Sequence, residues 1–209
     1  MSNEPIALEI FSDYVCPWCY LNTGRIEKLK QSHDVTVKFV HFPLHPETPS
    51  DGMTLEELFG SRGDAAARAA RQEQMKARMA EEGLPYGERT HTYNSRLAQE
   101  LGTWADTQAG GAAIHDAIFK AYFVANRNIG DIEVLVQIAG EVGLDAAEAR
   151  RILQERTFEA AVDENWDRSR AYGITGVPTV VAKGYGVSGA QPYEVLAEFV
   201  DKIGTVAEA

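Results

Sequence analysis

The pattern of apolar and polar positions at the start of the chain predicts a β–α–β unit. Residues 6–11 (IALEIF) are mostly apolar and β-prone, and residues 35–42 (VTVKFVHF) alternate and are β-branched, which predicts two strands. Residues 20–31 between them have apolar side chains at helical spacing. The turn after the first strand contains the sequence SDYVCPWC.

The middle of the chain has helical periodicity instead. The predicted helices cover residues 64–82, 95–108, 112–125, 131–142, a segment that begins at 145, and 158–172. Asp145 is predicted to be an N-cap, and Glu148 three residues later completes a capping-box pattern. The aromatic residues Trp104, Phe119 and Trp166 are predicted to belong to a core rather than to a ligand site.

The end of the chain returns to strand signals. Residues 179–182 (TVVA) predict a strand, residues 183–186 (KGYG) a hairpin turn, and residues 187–188 the start of the return strand. Residues 192–203 predict a closing helix that begins at a proline.

Two early strands and two late strands therefore enclose a block of helices. The simplest organisation is an α/β domain with a large α-helical insertion, and 209 residues are enough to bury a real core in such an arrangement. The predicted boundaries assign residues 1–48 and 173–209 to the α/β domain, and residues 49–172 to the helical insertion.

The charge excludes one class of partner. The net charge is −11, from 31 acidic and 20 basic residues, and an acidic surface repels the phosphate backbone of nucleic acids. The N-terminus has no basic start, and Glu9 interrupts its apolar run, so no signal peptide is predicted. No stretch approaches the roughly 18 apolar residues of a membrane helix. The sequence thus predicts a cytoplasmic protein with no membrane partner.

The chain has two cysteines, Cys16 and Cys19, and they are separated by Pro17 and Trp18. A disulfide between them would close a very short loop, which constrains almost no chain entropy and makes a poor structural crosslink. In a reducing compartment, a pair at this spacing is more often catalytic, redox-sensing or metal-binding.

The predicted position of Cys16 at a helix N-terminus favours a thiolate, because unpaired backbone N–H groups point outward there. Lowering a thiol pKa from about 8.5 to about 7 requires roughly 2 kcal/mol, and a helix dipole supplies about 0.3–1 kcal/mol. Hydrogen bonds from the Cys19 thiol and nearby N–H groups are expected to supply the rest, while Asp13 opposes it. Cys16 is expected to be the exposed nucleophile, and Cys19 the deeper, resolving thiol.

Two neighbouring features affect this site. Pro17 lacks an N–H and fixes φ, and Trp18 either offers an apolar face to a substrate or simply packs half-buried. Val177 and Pro178 precede a predicted strand, where a proline indicates a special turn. Spacing alone favours an ordinary trans peptide bond there, because about 5–6% of X–Pro bonds in folded proteins are cis.

The segments SDYVCPWCY, NRNIGD, TGVPT and YGVSGAQPYEVL together resemble the DsbA-like branch of the thioredoxin superfamily, in particular FrnE-like cytosolic proteins. The resemblance spans about residues 8–200. It implies a thioredoxin-like fold with a helical insertion after the second strand. It also implies a thiol–disulfide oxidoreductase that acts on protein or small thiol/disulfide substrates through a redox-active disulfide, with no bound cofactor.

The same resemblance assigns roles to individual residues. It implies that Cys16 attacks and Cys19 resolves, and that Pro178 is cis and lies against the cysteine pair. The Val177 backbone would then face an extended substrate strand. Asp13 carries over as a candidate electrostatic or proton-relay group. Glu9, on the first predicted strand, competes for that role and is otherwise a solvated strand residue.

One departure from the family concerns the electron supply. Some relatives carry further cysteines, whereas this chain has none outside the pair. Electrons are therefore expected from an outside thiol, such as glutathione or another protein. Reduction or isomerisation is the expected net direction in the cytosol.

Three alternatives stay open at this point. The first is a glutathione-dependent isomerase or transferase resembling 2-hydroxychromene-2-carboxylate isomerase or the kappa-class glutathione transferases. Asn94, Ser95 and the VPT–SGAQ region resemble their glutathione side, but such enzymes do not need a cysteine pair. The second is a non-enzymatic binding module that uses the helical insertion. Substrate, redox potential and oligomeric state are open in every case.

The third alternative is a structural zinc site, and it is disfavoured. A CxxC pair supplies only half of a tetrahedral zinc site, and no second half follows in the sequence. The histidines are isolated from one another and are predicted to be surface or packing residues: His33, His41, His45, His91 and His115. No metal is therefore expected.

Overall fold

The computed structural model describes residues 4–60 and 65–205. In chain order these residues form β1 (Ile6–Ser12), α1 (Pro17–Ser32), β2 (Val35–His41), β3 (Met53–Thr54), α2 (Leu55–Phe59), α3 (Ala65–Glu81), β4 (His91–Thr92), α4 (Arg96–Ala105), α5 (Ala113–Phe123), α6 (Ile132–Glu141), α7 (Ala146–Gln154), α8 (Glu159–Ala171), β5 (Thr179–Ala182), β6 (Tyr185–Ser188) and α9 (Tyr193–Thr205). The predicted start of a helix at Asp64 lies outside the described residues.

The chain divides into two compact units. The first comprises Met1–Leu44 and Asn165–Ala209, and the second comprises His45–Glu164. The sequence predicted divisions after residues 48 and 172, whereas the structure has them after residues 44 and 164. The second of these lies inside α8.

The second half of α8 belongs to the first unit because its side chains contact the sheet. The Asn165 side-chain oxygen accepts the His41 N–H at 3.1 Å. The Arg168 guanidinium forms an ion pair with Glu9 at 2.7 Å. Hydrophobic periodicity within one helix cannot reveal such a change of partner, because both halves of the helix carry a buried face.

A four-stranded mixed sheet is the centre of the first unit. The strand order is β2-β1-β5-β6, with β1 parallel to β2 and antiparallel to β5, and β5 antiparallel to β6. The parallel pair is joined through α1, which confirms the predicted β–α–β unit at the N-terminus. This topology makes β1 a central strand, so the residues that follow it emerge from the middle of the sheet.

Alternation along the strands divides the apolar side chains between the two faces of the sheet. One face packs against α1 and α9 and forms the larger core: Leu8, Ile10, Ile26, Leu29, Val180, Ala182, Leu196, Val200 and Ile203. The opposite face buries Phe11, Val40 and Val181, with Ile174 and Val177 packed against them. The first unit is therefore a layered α/β structure, as the strand and helix periodicities predicted.

The C-terminal hairpin is tighter than the sequence predicted. Ala182 pairs with Tyr185, and the two residues between them, Lys183 and Gly184, have φ of 46° and 80°. Two consecutive residues with positive φ make the short turn that suits the twist of a hairpin. The return strand therefore begins at Tyr185 rather than at residue 187.

The second unit is mainly helical and includes three short elements that the sequence analysis did not predict, namely β3, α2 and β4. Strands β3 and β4 pair antiparallel. A capping box starts α2: Thr54 Oγ1 accepts the Glu57 N–H at 3.1 Å, and the Glu57 carboxylate accepts the Thr54 N–H at 2.8 Å. Two-residue strands and a one-turn helix are too short to show a periodicity.

The capping box predicted at α7 is half right. Asp145 is the N-cap and accepts the N–H groups of Ala147 and Glu148 at 2.9 and 3.1 Å. The Glu148 carboxylate, however, binds the Arg151 guanidinium at 2.6 and 2.9 Å instead of reaching back to Asp145. A charged partner one turn away forms the stronger hydrogen bond.

No helix in residues 4–60 and 65–205 is both long enough and apolar enough to cross a membrane.

Truncating Leu29 should destabilise the first unit, because this side chain of α1 is fully buried in the larger core. We expect Leu29→Ala to lower the free energy of unfolding by about 2–5 kcal/mol, as measured by urea denaturation. Val195→Ala on α9 is the control, since Val195 is 39% exposed and should change stability by about 0.5 kcal/mol or less. Equal losses for both variants would contradict this account of the core.

Candidate active site

The cysteine pair lies where β1 ends and α1 begins. Cys16 is the N-cap of α1, with extended backbone angles of φ −89° and ψ 114°, and Pro17 is in the first turn, where its missing N–H leaves nothing unpaired. The Cys16 carbonyl accepts the N–H groups of Cys19 and Tyr20 at 3.1 and 3.2 Å. The predicted placement of the motif at a helix N-terminus is thereby confirmed.

Both sulfur-bearing residues are buried, which corrects the expectation of an exposed nucleophile. Cys16 is 3% exposed and Cys19 is 2% exposed. In its protonated form the Cys16 thiol donates to the Val177 carbonyl oxygen, 3.6 Å away. As a thiolate, the same sulfur can only accept hydrogen bonds. Trp18, by contrast, is 41% exposed, so it is partly packed and also presents apolar surface beside the motif.

The surroundings of Cys16 lower the pKa of its thiol. The largest cause is the hydrogen bond with the Cys19 side chain, and the backbone N–H groups of Cys19 and Trp18 act in the same direction. Burial and the negative charge of Asp13 oppose the shift. These are the donors that the sequence analysis named, and they stabilise a thiolate in a place with little water.

The surroundings of Cys19 act in the opposite direction and raise the pKa of its thiol well above the ordinary value. Burial is the first cause, and the hydrogen bond and the charge interaction with Cys16 add to it. Hydrogen bonds from the Ser12 side chain and from the Asp13 backbone lower the pKa only in part. One sulfur of the pair is therefore prepared to be a thiolate, and the other retains its proton.

The loop that ends in Pro178 lies against the cysteine pair. The peptide bond between Val177 and Pro178 is cis, as the resemblance implied and the spacing alone did not. Behind the loop, the Thr179 hydroxyl donates to the Gly176 carbonyl at 2.9 Å, and the Pro178 carbonyl accepts the Gly189 N–H at 2.7 Å. These two hydrogen bonds hold the backbone on either side of the Val177 carbonyl, which lies over Cys16.

Asp13 holds the loops at the end of the sheet. One carboxylate oxygen accepts the Val15 N–H at 3.1 Å, and the other accepts the Leu44 N–H at 2.9 Å. The side chain is buried, and its charge raises the pKa of Cys16. Asp13 thus ties the turn before the cysteines to the segment after β2, and its charge also acts on the Cys16 thiol.

Glu9 takes part in a different contact. Its carboxylate pairs with Arg168, whose guanidinium lies 4.8 Å from the centre of the Tyr172 ring, and that ring packs 5.7 Å from the ring of Phe11. The described contacts of Glu9 do not include either sulfur. Glu9 therefore attaches α8 to the sheet, and it is more enclosed than the solvated strand position considered from the sequence.

The sequence analysis missed two residues at this site. Ser12, the last residue of β1, is buried and places a side-chain hydrogen bond on Cys19. Arg25 of α1 is buried and contacts the segment after β6. A polar residue at the end of an apolar strand was the only signal for Ser12. Arg25 looked like one more charged position on a helix.

No cluster of three or more His, Cys, Asp or Glu residues with metal-binding geometry occurs in the described part of the chain. His41 is buried at the end of β2, where its ring lies 5.4 Å from the ring of Tyr14, as expected for a packing histidine.

Residues 7–201 match the DSBA-like thioredoxin domain, which covers the cysteine pair, the cis-proline loop and all but the last turns of α9. The chain belongs to this family. It is 31% identical to a crystal structure described as a "probable DsbA oxidoreductase" from Streptomyces coelicolor, with a TM-score of 0.90 over 98% of this chain and 92% of that one. It is 28% identical over 198 residues to YwbO from Bacillus subtilis, which covers 93% of this chain and 96% of the relative.

More distant structures share the fold. A 2-hydroxychromene-2-carboxylate isomerase has a TM-score of 0.75 at 18% identity, covering 95% of this chain and 96% of that chain. The cytosolic disulfide reductase DsbM from Pseudomonas aeruginosa, in a structure with glutathione, has a TM-score of 0.66 at 18% identity and the same two coverages. The predicted thioredoxin-like α/β fold with its helical insertion is confirmed.

Replacing Cys19 should change the pKa of Cys16, because the Cys19 side chain is the largest cause of the lowered value. We expect Cys19→Ala to raise the pKa of Cys16, and Cys19→Ser, which keeps a hydroxyl donor, to raise it less. The pKa is measured from thiolate ultraviolet absorbance and from the pH dependence of iodoacetamide alkylation. The same pKa in the wild type and in Cys19→Ala would contradict this assignment.

Removing the Ser12 hydroxyl should make Cys19 harder to deprotonate. We expect Ser12→Ala to slow the attack of Cys19 on a mixed disulfide at Cys16 by roughly tenfold, as for the loss of a hydrogen bond to a charged group worth about 1.5 kcal/mol. The rate is measured by acid quenching and mass spectrometry of the Cys16 adduct. Ser50→Ala, at an exposed position between β2 and β3, is the control and should leave the rate unchanged.

Proposed function

We propose that this protein is a thiol–disulfide oxidoreductase that reduces or isomerises disulfide bonds in protein or small-molecule substrates. One observation carries the proposal: two neighbouring sulfurs have pKa values shifted in opposite directions, and the lower one faces the carbonyl of a cis-proline loop. A structural crosslink would not need this asymmetry. A dithiol mechanism needs one thiol that attacks the substrate disulfide and a second that stays protonated until it resolves the mixed disulfide.

In the first step, the Cys16 thiolate attacks one sulfur of the substrate disulfide. A bond forms between Cys16 Sγ and that sulfur, the substrate S–S bond breaks, and the other substrate sulfur leaves as a thiolate that takes up a proton. The lowered pKa of Cys16 increases the fraction of thiolate at neutral pH. The hydrogen bond from the Cys19 thiol stabilises this anion before the attack.

In the second step, Cys19 resolves the mixed disulfide. Its thiol loses a proton and attacks Cys16 Sγ, which forms the intramolecular disulfide and releases the remaining substrate sulfur as a thiol. The raised pKa of Cys19 delays this step, because the buried thiol must first be ionised. That delay gives a bound substrate time to rearrange its own disulfides, which makes isomerisation compatible with the site.

Two molecules of an external thiol return the pair to the dithiol form. Glutathione is the proposed donor: two molecules are oxidised to one glutathione disulfide while the Cys16–Cys19 disulfide is reduced. The chain has no third cysteine that could relay electrons internally. The likeness to DsbM, which is described as a cytosolic disulfide reductase and was solved with glutathione, supports this donor and a cytoplasmic location.

The surface beside the pair suits an extended peptide. Val177 is partly exposed next to a buried Pro178, and backbone groups at such a position can pair with a substrate strand. The exposed ring of Trp18 supplies apolar surface on the other side of the thiol. We therefore propose that Val177, Pro178 and Trp18 contact the substrate.

A glutathione-dependent isomerase or transferase shares the fold but receives less support. Such an enzyme does not need a resolving thiol, whereas Cys19 is the largest influence on Cys16. Asn94, which resembles a residue on the glutathione side of those enzymes, donates its amide to the carbonyls of Pro46 and Thr48 at 3.2 and 2.7 Å. It thus already has a role in holding the segment of residues 46–48 beside its own loop.

A glutathione redox titration tests the proposal. The protein is equilibrated at stepped ratios of glutathione to glutathione disulfide, alkylated, and weighed by mass spectrometry. We expect a two-electron transition confined to Cys16 and Cys19 with one defined midpoint. Cys16→Ser should abolish insulin-disulfide reduction, and Cys19→Ser should trap a mixed disulfide on Cys16.

The opposite results are equally specific. A stable glutathione adduct in the wild type, with no intramolecular disulfide at any ratio, would overturn the dithiol mechanism in favour of the glutathione-dependent isomerase or transferase. A pair that stays oxidised in cytosol-like glutathione buffer would overturn the proposed reductive direction. Full disulfide-reductase activity in Cys16→Ser would show that the Cys16–Cys19 pair is not the active site.

A further inference from the structure

A buried arginine on the cysteine-bearing helix holds the segment that follows β6. Arg25 is 8% exposed, and its Nη1 donates to the carbonyl of Ala190 at 2.7 Å and to that of Gln191 at 2.9 Å. Removing a guanidinium from water is costly, and short charge-assisted hydrogen bonds to the two carbonyls offset that cost.

The segment that Arg25 holds is itself attached to the cis-proline loop. The N–H of Gly189 donates to the Pro178 carbonyl at 2.7 Å, and the N–H of Gln191 donates to the Gly189 carbonyl at 2.9 Å. Gly189 has φ of +82°, which glycine adopts without strain. Residues 189–191 are therefore a compact turn between the Arg25 guanidinium and the Pro178 carbonyl.

A continuous series of contacts thus runs from α1 to the nucleophile. It passes from Arg25 to the 189–191 turn, then to the Pro178 carbonyl, and then through the cis peptide to the Val177 carbonyl, which lies 3.6 Å from Cys16 Sγ. Both ends of the series are on the same rigid helix. Helix α1 therefore fixes the distance between the cis-proline loop and the N-terminus of α1.

We propose that Arg25 is a positioning residue of the redox site, which sets the distance between the Val177 backbone and Cys16 and so controls the binding of extended peptide substrates. The substrate part of this inference rests on the proposed function, whereas the structural part does not. Without the guanidinium, the 189–191 turn loses its attachment to α1. The Pro178 carbonyl then loses a fixed donor, and the Val177 backbone is free to move away from the thiol.

Reactions with a peptide disulfide and with a small disulfide should respond differently to the loss of Arg25. A peptide disulfide that pairs with the Val177 backbone depends on the position of the loop. A small disulfide such as glutathione disulfide needs mainly the Cys16 thiolate, whose pKa is set by groups of the motif and its flanking loop. Loss of Arg25 should therefore raise the KM for a peptide disulfide and leave the reaction with glutathione disulfide nearly unchanged.

The test uses three variants of the full chain. Arg25→Met removes the donors and keeps an apolar stem of similar length, and Arg25→Lys restores an ammonium that can donate to both carbonyls. Lys30→Met is the matched control, because Lys30 is an exposed cation of the same helix, paired with Glu27 at 2.7 Å. Hydrogen exchange of the Gly189 amide is measured by NMR, together with KM and kcat for a peptide disulfide and for glutathione disulfide.

We expect about tenfold faster exchange of the Gly189 amide in Arg25→Met, with the amides of β1 and β5 unchanged, as for the loss of a hydrogen bond. The KM for the peptide should rise about three- to tenfold at nearly constant kcat, with recovery in Arg25→Lys and no change in Lys30→Met.

Unchanged exchange at Gly189 in Arg25→Met would overturn the positioning role whatever the activity. Equal losses with both substrates, or no recovery in Arg25→Lys, would overturn it in favour of a general contribution to stability. If the wild type had no disulfide activity, the exchange measurement would still decide the structural part, so failure of the proposed function is distinguishable from failure of this inference.

Discussion

The hydrogen bond between the Cys19 thiol and the Cys16 sulfur is the interaction on which the site depends. It forms because β1 stops at Ser12 and α1 starts at Pro17, so that both sulfurs lie within one helical turn above the centre of the sheet. The bond lowers the pKa of one thiol and raises that of the other. Burial raises the pKa of both thiols: it opposes the shift at Cys16 and is the largest cause of the shift at Cys19.

The rest of the first unit maintains that geometry. Asp13 uses both carboxylate oxygens on backbone N–H groups, which holds the turn before the motif although its charge disfavours the thiolate. The cis-proline loop closes over Cys16, and Arg25 holds the segment behind that loop. The Asp13 charge therefore disfavours the Cys16 thiolate but holds two backbone N–H groups more strongly than a neutral side chain could.

Periodicity predicted the long elements well and the short ones poorly. The strands of the sheet, the helix after the cysteines and the block of helices follow from apolar spacing, since each buries a regular face. Strands β3 and β4 and helix α2 were not predicted, because the sequence carries no periodic signal over two to five residues. The change of partner inside α8 was missed for another reason: the contact of Arg168 with Glu9 joins residues far apart in the chain.

The sequence by itself determined that a cysteine pair starts a helix directly after the first strand, because strand, turn, proline and helix signals are local. It also indicated which thiol would be activated and which donors would activate it. Only the tertiary structure decided that Cys16 is buried under the Val177 carbonyl and that Glu9 pairs with Arg168 of α8. It also showed that Ser12 and Arg25 belong to the site. These contacts link positions separated by many residues, or depend on which way a side chain points, and no local pattern of residues encodes either.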